Sequence, residues 1–125
     1  MSQNIIIRNR GDSNSIKINI RSGFSELNRL GVTFVDSEFN IYFGVMLPHQ
    51  KFEDAIIRKR FTINDCDCCG NLIIQLSPAD TLDLKPGIYY YSIKMSANKL
   101  KTEKDVSNTE TVITLINKTK LILND

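Results

Sequence analysis

Between Asn71 and Met95 the chain reads as a strand, a tight crossover and a second strand, and no other stretch restricts the fold as sharply. Leu72, Ile74 and Leu76 recur at every second position, the period that puts side chains on one face of a strand. Ser77-Pro78 follows with the chemistry of a helix start, a hydroxyl able to cap backbone N–H groups and a proline whose fixed φ suits the first helical position. Pro86-Gly87 then launches a second strand on which Tyr89, Tyr91, Ile93 and Met95 share a face. A single helical turn between two such strands predicts that they lie in different sheets, as at the corner of a sandwich.

In immunoglobulin-like sandwiches a tyrosine just past such a corner turns its hydroxyl back onto backbone a few residues upstream and pins the crossover. Tyr89, shortly after Pro86 and Gly87, is placed to do this. Short apolar-alternating segments recur along the rest of the chain with turn signals between them. They place strands near residues 4–8, 15–20, 31–34, 41–47, 55–63, 71–76, 87–95, 110–116 and 119–123. No stretch shows a helical period long enough for a major helix. The expected fold is all-β, an immunoglobulin-like antiparallel β-sandwich of about eight short strands, with residues 1–125 as a single domain.

Patterning adds detail. Ile16, Ile18 and Ile20 face one way while Lys17 and Asn19 face the other, as in a half-buried antiparallel strand. Residues 41–47, Ile-Tyr-Phe-Gly-Val-Met-Leu, are nearly continuous in apolar character. Both faces of that strand are expected to be covered, one by the core and the other by a partner subunit. Residues 64–71 have the Asn, Asp and Gly content of a hairpin loop, residues 96–108 read as a mobile hairpin loop, and residues 8–15 as a turn.

With 125 residues the chain is long enough to bury a core without metal or disulfide help, and no linker divides it. Its longest apolar runs, such as residues 5–7 and 45–47, fall far short of the roughly 20 residues of a membrane span. The N-terminus has no basic leader and no extended apolar region, which predicts synthesis in a cytoplasm. A net charge of +2 implies no obligatory nucleic-acid or membrane partner. Cys66, Cys68 and Cys69 are too close together for long-range disulfides and fit a reducing compartment.

The cysteine cluster, flanked by Asp65 and Asp67, suggests zinc or copper(I), but no second ligand pair exists to close a structural site, and a thiol-bearing turn is the preferred reading. His49 is the lone histidine, and nothing in the sequence sets a nucleophile beside it. The pairs Asp80/Asp83 and Glu53/Asp54 read as turn formers rather than as opposed carboxylates across a cleft. In Arg58-Lys59-Arg60 strand alternation sends the two arginines to one face and the lysine to the other. That pattern fits a solvated or salt-bridging strand. There is no tryptophan to stack on a sugar, and no glycine-rich phosphate loop. No cofactor is expected.

Several segments together resemble a family of small immunoglobulin-like domains of tailed-phage virion proteins, including the N-terminal domain of siphophage baseplate upper proteins. They are Tyr42-Phe43-Gly44-Val45-Met46, Lys59-Arg60-Phe61-Thr62, residues 70–81, and Leu84-Lys-Pro-Gly-Ile-Tyr-Tyr-Tyr-Ser-Ile93. Residues 109–113 with 118–122 look like the closing hairpin of such domains. The resemblance covers most of the chain and carries no catalytic motif. It implies a non-enzymatic structural component of a tailed-phage virion, in capsid, neck, tail or baseplate, made in the bacterial host cytoplasm. The implied partners are other virion proteins, in a homo-oligomeric or multicopy assembly. Tyr42, Phe43, Met46, Arg58, Lys59 and Arg60 are the expected contact residues, and Tyr89, Pro86 and Gly87 the structural corner. The alternative from another class is a carbohydrate- or surface-binding module acting through exposed tyrosines or residues 96–108. A small metal or redox protein built on the cysteine turn is a third.

Overall fold

The computed structural model describes residues 6–9, 14–32, 37–99 and 110–124. They form strands β1 (Ile6–Asn9), β2 (Asn14–Asn19), β3 (Ser37–Met46), β4 (Ile57–Thr62), β5 (Asn71–Leu76), β6 (Gly87–Lys99) and β7 (Glu110–Asn124), with helix α1 (Arg21–Arg29) after β2 and a one-turn helix α2 (Pro78–Thr81) after β5. One sheet has five strands in the order β1-β7-β6-β3-β4, and the other pairs β2 with β5. Every pairing is antiparallel except that of β1 with β7, which is parallel.

The core lies between the layers. From the five-stranded sheet come Ile41, Phe43, Val45, Tyr91, Ile93, Met95, Leu121 and Leu123, and from the facing pair Ile16, Ile18, Leu72, Ile74 and Leu76, all buried. The alternation read from the sequence sets these faces: Lys17, Asn19, Ile73 and Gln75 point outward between buried neighbours. Ile73 is left 55% exposed.

The crossover from β5 to β6 takes the chain from the small sheet to the large one. Ser77 and Asp80 close a capping box at the start of α2, where the Ser77 N–H donates to Asp80 Oδ2 at 2.7 Å and Pro78 opens the turn. Past the corner, the Tyr89 hydroxyl donates to the Lys85 carbonyl at 2.6 Å. Gly87 has φ +153, and its position has open space around it.

Several expectations are corrected. The chain contains a nine-residue helix, α1, that the sequence pattern did not place. α1 occupies the second layer beside β2, with Gly23 and Leu27 buried and the ring of Phe24 edge-on to that of Phe39 at 5.1 Å. Its apolar stripe, Ile20, Gly23, Phe24 and Leu27, has helical spacing but is weakened by the glycine. That glycine permits contact: a Cβ at Gly23 would lie 2.7 Å from Leu115 and 2.9 Å from Met95.

The strand expected at residues 31–34 is not formed at its start. Gly31, at φ +93, and Val32 close a Schellman end on α1, donating to the Asn28 carbonyl at 3.0 Å and the Leu27 carbonyl at 3.0 Å. Residues 33 and 34 lie outside the described residues, as do residues 10–13 of the expected turn at residues 8–15 and residues 100–108 of the expected loop. The start of that loop, residues 96–99, continues β6.

The two C-terminal strands are halves of one strand, β7, so residues 109–113 and 118–122 do not pair as a closing hairpin. β-Bulges at Tyr91/Ile93 and Ile93/Lys94 absorb the break in the pattern. The Lys118 N–H donates to Ser92 Oγ at 3.0 Å, and the flanking apolar residues stay on the core side. Residues 64–71 make no hairpin either, since β4 and β5 belong to different sheets. This turn is instead tied to the end of β2, where the Ile20 N–H donates to the Gly70 carbonyl at 2.8 Å.

Candidate functional site

The register of β7, β6, β3 and β4 builds the solvent side of the large sheet row by row. Val112, Ser96, Asn40 and Thr62 lie in one transverse row, Thr114, Lys94, Tyr42 and Arg60 in the next, and Ser92, Gly44 and Arg58 in a third. In a fully open sheet such rows would face water. Here part of the face is roofed by the chain's own connection from β3 to β4.

Gly44 receives that roof. The Phe52 ring sits over it so closely that a Cβ on Gly44 would meet Phe52 at 3.0 Å and Ala55 at 3.1 Å. A glycine in mid-strand often marks such an approach. The connection is fastened at three points. Lys94 Nζ stands 4.9 Å from the centroid of the Phe52 ring. Arg58 donates through Nε to the Ala55 carbonyl at 3.2 Å and through Nη2 to the Glu53 carbonyl. Lys118 Nζ donates to the Gln50 carbonyl at 3.0 Å.

Beside this roof lies an open groove of about 580 Å³, whose lining includes Tyr42, Phe52, Arg58, Arg60 and Lys94 together with Glu53 and Glu110. Arg58, Arg60 and Lys94 form no salt bridge among the described residues. Arg58 is held by carbonyl oxygens and Lys94 by a ring. The groove therefore combines an aromatic wall with Arg58, Arg60 and Lys94, which outnumber the carboxylates of Glu53 and Glu110 in its lining. At the next row, Asn40 Oδ1 and Ser96 Oγ are buried with no hydrogen-bond partner among the described residues.

Of the expected contact residues, Tyr42, Phe43, Arg58, Lys59 and Arg60 all line this groove, and Met46 does not. Phe43 is 1% exposed, with its ring 6.2 Å from that of Tyr91 on the neighbouring strand of the same sheet. Met46 is fully buried, at 0% exposure. Neither side chain is available as a surface contact. Over Gly44, within residues 41–47, cover comes from Phe52 and Ala55 of this chain. Lys59 points to the opposite face from the arginines and pairs with Asp80 at 3.0 Å, joining β4 to the crossover turn. Burial alone would raise the Asp80 carboxyl. The Lys59 hydrogen bond and charge and the Ser77 N–H outweigh it and hold that carboxyl below the usual carboxylate value.

Phe52 and Lys94 were not read as site residues. Gly44 within an otherwise apolar strand was the available signal for Phe52. Lys94 becomes a neighbour of Tyr42 only through the β3–β6 register.

The other candidate chemistries resolve into local structure. In the cysteine turn, the exposed Asp67 carboxylate accepts from the N–H groups of Cys69 at 2.8 Å and Asn71 at 2.9 Å and from the Asn71 side chain at 3.1 Å. Those two Asn71 bonds in particular hold its carboxyl low. The Cys66 thiol is partly buried against the core, and burial, followed by the charges of Asp65 and Asp67, pushes it up. Cys68 and Cys69 are exposed, with their sulfurs 3.8 Å apart. Among the described residues no three His, Cys, Asp or Glu side chains gather as a metal site. His49 lies exposed in the turn after Pro48. Asp65 caps the turn after β4 by accepting from the Thr62 N–H at 2.8 Å. No helix among the described residues is long and apolar enough to cross a membrane.

The chain matches no protein-family model, no curated protein and no solved structure.

Proposed function

We propose that this chain is a non-enzymatic, immunoglobulin-like docking module of a tailed-phage virion, made in the host cytoplasm and present in several copies per particle. It holds other virion proteins through the solvent side of its five-stranded sheet. The observation that carries the reading is the groove itself, in which Tyr42, Arg58 and Arg60 converge with Phe52 and Lys94 around a partly roofed, positively charged surface. Aromatic and arginine side chains at the rim of a depression are the residue types that anchor protein interfaces. The immunoglobulin-like assignment is supported by the sheet-changing crossover and by the Tyr89–Lys85 hydrogen bond that pins it. The test is mass spectrometry of purified particles, with this chain counted against the major capsid protein. Retention at a fixed ratio through stringent purification supports the reading, and absence overturns it.

One observation favours a second reading, a carbohydrate-binding module. Tyr42 and Tyr90 are partly exposed, unlike the buried Tyr89 and Tyr91, and Tyr42 lies in the groove. A glycan array distinguishes it: a glycan ligand whose binding is lost in Tyr42→Ala supports this second reading, and an array with no binder rejects it.

A further inference from the structure

We propose that β4 is a receptor edge, and that its occupant is an extended segment of a partner protein in which acidic and apolar residues alternate. This deepens the docking reading above and rests on it. β4 is the last strand of the large sheet and pairs only with β3 among the described residues, so its outer edge has no partner strand among them, although the Thr62 N–H at its end is taken by Asp65. Such edges are extended by added strands, with backbone hydrogen bonds supplying affinity and the flanking depressions supplying specificity.

β4 has a depression on each flank. On the solvent side of the sheet lies the groove described above, with Arg58 and Arg60 at its border. On the other flank a depression of about 410 Å³ is lined by Lys59, Arg60 and Phe61 of β4 and by Ile73 and Gln75 of β5. Side chains of an added strand alternate between the two flanks. Those on the solvent side meet Arg58 and Arg60, which form no salt bridge among the described residues. Those on the other side meet Phe61, which is partly exposed, and Ile73, which is 55% exposed. On this flank Lys59 is paired with Asp80, while Arg60 borders both depressions. On the solvent side Arg58, Arg60 and Lys94 outnumber Glu53 and Glu110 and favour carboxylates in an added strand, while Phe61 and Ile73 on the other flank favour apolar side chains.

The same charges argue against a second copy of this chain as occupant. Antiparallel pairing of β4 with itself about Lys59 sets Arg58 against Arg60 and Lys59 against Lys59, and like charges directly opposite are destabilising. A basic edge repels its own kind and selects an acidic strand.

The experiment uses the full chain and a labelled synthetic peptide alternating glutamate with valine. Its affinity is compared with that of a lysine–valine peptide and of a glutamate–valine peptide N-methylated at alternate amides, and the contact is located by amide hydrogen exchange. The proposal expects saturable binding of the acidic peptide, with new protection over residues 57–62. It also expects a loss of about tenfold or more with the lysine peptide and with Arg60→Glu, roughly one full charge-pair contribution. Ile73→Ser, on an exposed side chain, weakens binding without changing the fold. Equal binding of the lysine peptide, undiminished binding of the N-methylated peptide, or protection confined to elements other than β4 overturns the proposal. So does protection of β4 by self-association without peptide, or no peptide binding beside a sulfated oligosaccharide that occupies the groove. If the chain is present in particles at a fixed copy number while the acidic peptide fails to protect β4, only the edge proposal falls. Absence from particles removes the docking reading itself.

Discussion

Replacing Tyr89 with phenylalanine isolates the bond that holds the sheet-changing corner. The Tyr89 side chain is 5% exposed, so the ring stays packed and no apolar burial is lost. What disappears is the 2.6 Å hydrogen bond from its hydroxyl to the Lys85 carbonyl. Lys85 is exposed, so water can take up the released acceptor and the full penalty of a buried orphan is not incurred. The net cost is then that of one good hydrogen bond, about 1 to 1.5 kcal/mol. For a domain of this size, that lowers the urea midpoint by about 0.5 to 1 M and Tm by about 3 to 6 °C. The slope of the urea transition stays unchanged, because the surface exposed on unfolding is the same. Tyr90→Phe is the matched control. Tyr90 is partly exposed and its hydroxyl has no protein partner among the described residues, so its replacement should shift stability by less than about 0.5 kcal/mol. Equal midpoints for wild type and Tyr89→Phe, or equal losses for the two variants, would refute the role given to the corner hydrogen bond.

Further expectations follow from local geometry. Gly31→Ala should cost about 1 kcal/mol in urea titration, since Gly31 sits at φ +93 with nothing near its absent Cβ and the penalty is purely conformational. Asp80→Asn should cost about 0.5 to 1 kcal/mol at neutral pH, the range of a partly solvated pair. Because the folded-state Asp80 carboxyl is depressed, its contribution is complete above the usual carboxylate value and is lost as pH falls through the lowered one. The wild-type and Asp80→Asn stability curves should therefore converge in acid, and a difference that persists there contradicts the assignment. Cys66, with its thiol raised mainly by burial, should react with a disulfide reagent more slowly than the exposed Cys68 and Cys69. Three equivalent rates would count against that placement.

The elements legible in the sequence were those whose signal is local. Period-two alternation located β5 and the core face of β6, and Ser77, Pro78 and Asp80 located the turn between them. What was hidden depended on neighbours distant in sequence. Gly23 weakens the apolar stripe of α1 because Leu115 and Met95 occupy the space its side chain would need. Gly31, read as part of a strand, is the C-terminal stop of that helix. Asn117-Lys118 suggested a turn in β7, whereas a β-bulge satisfies it within one strand through Ser92. Among the site residues, Arg58 and Arg60 were placed on one face by alternation alone. Phe43 and Met46 read as contact residues, but Phe43 belongs to the core face of β3 and Met46 is fully buried.

The most direct test of the account is to count this chain in particles assembled with wild-type protein and with the Tyr42→Ala/Arg60→Glu double variant, after matched urea curves show that both fold. The account predicts a fixed copy number for wild type and a loss of at least about tenfold for the variant, whose changes lie at the groove and spare the core. Equal incorporation of the two proteins would contradict the claim that this face does the docking.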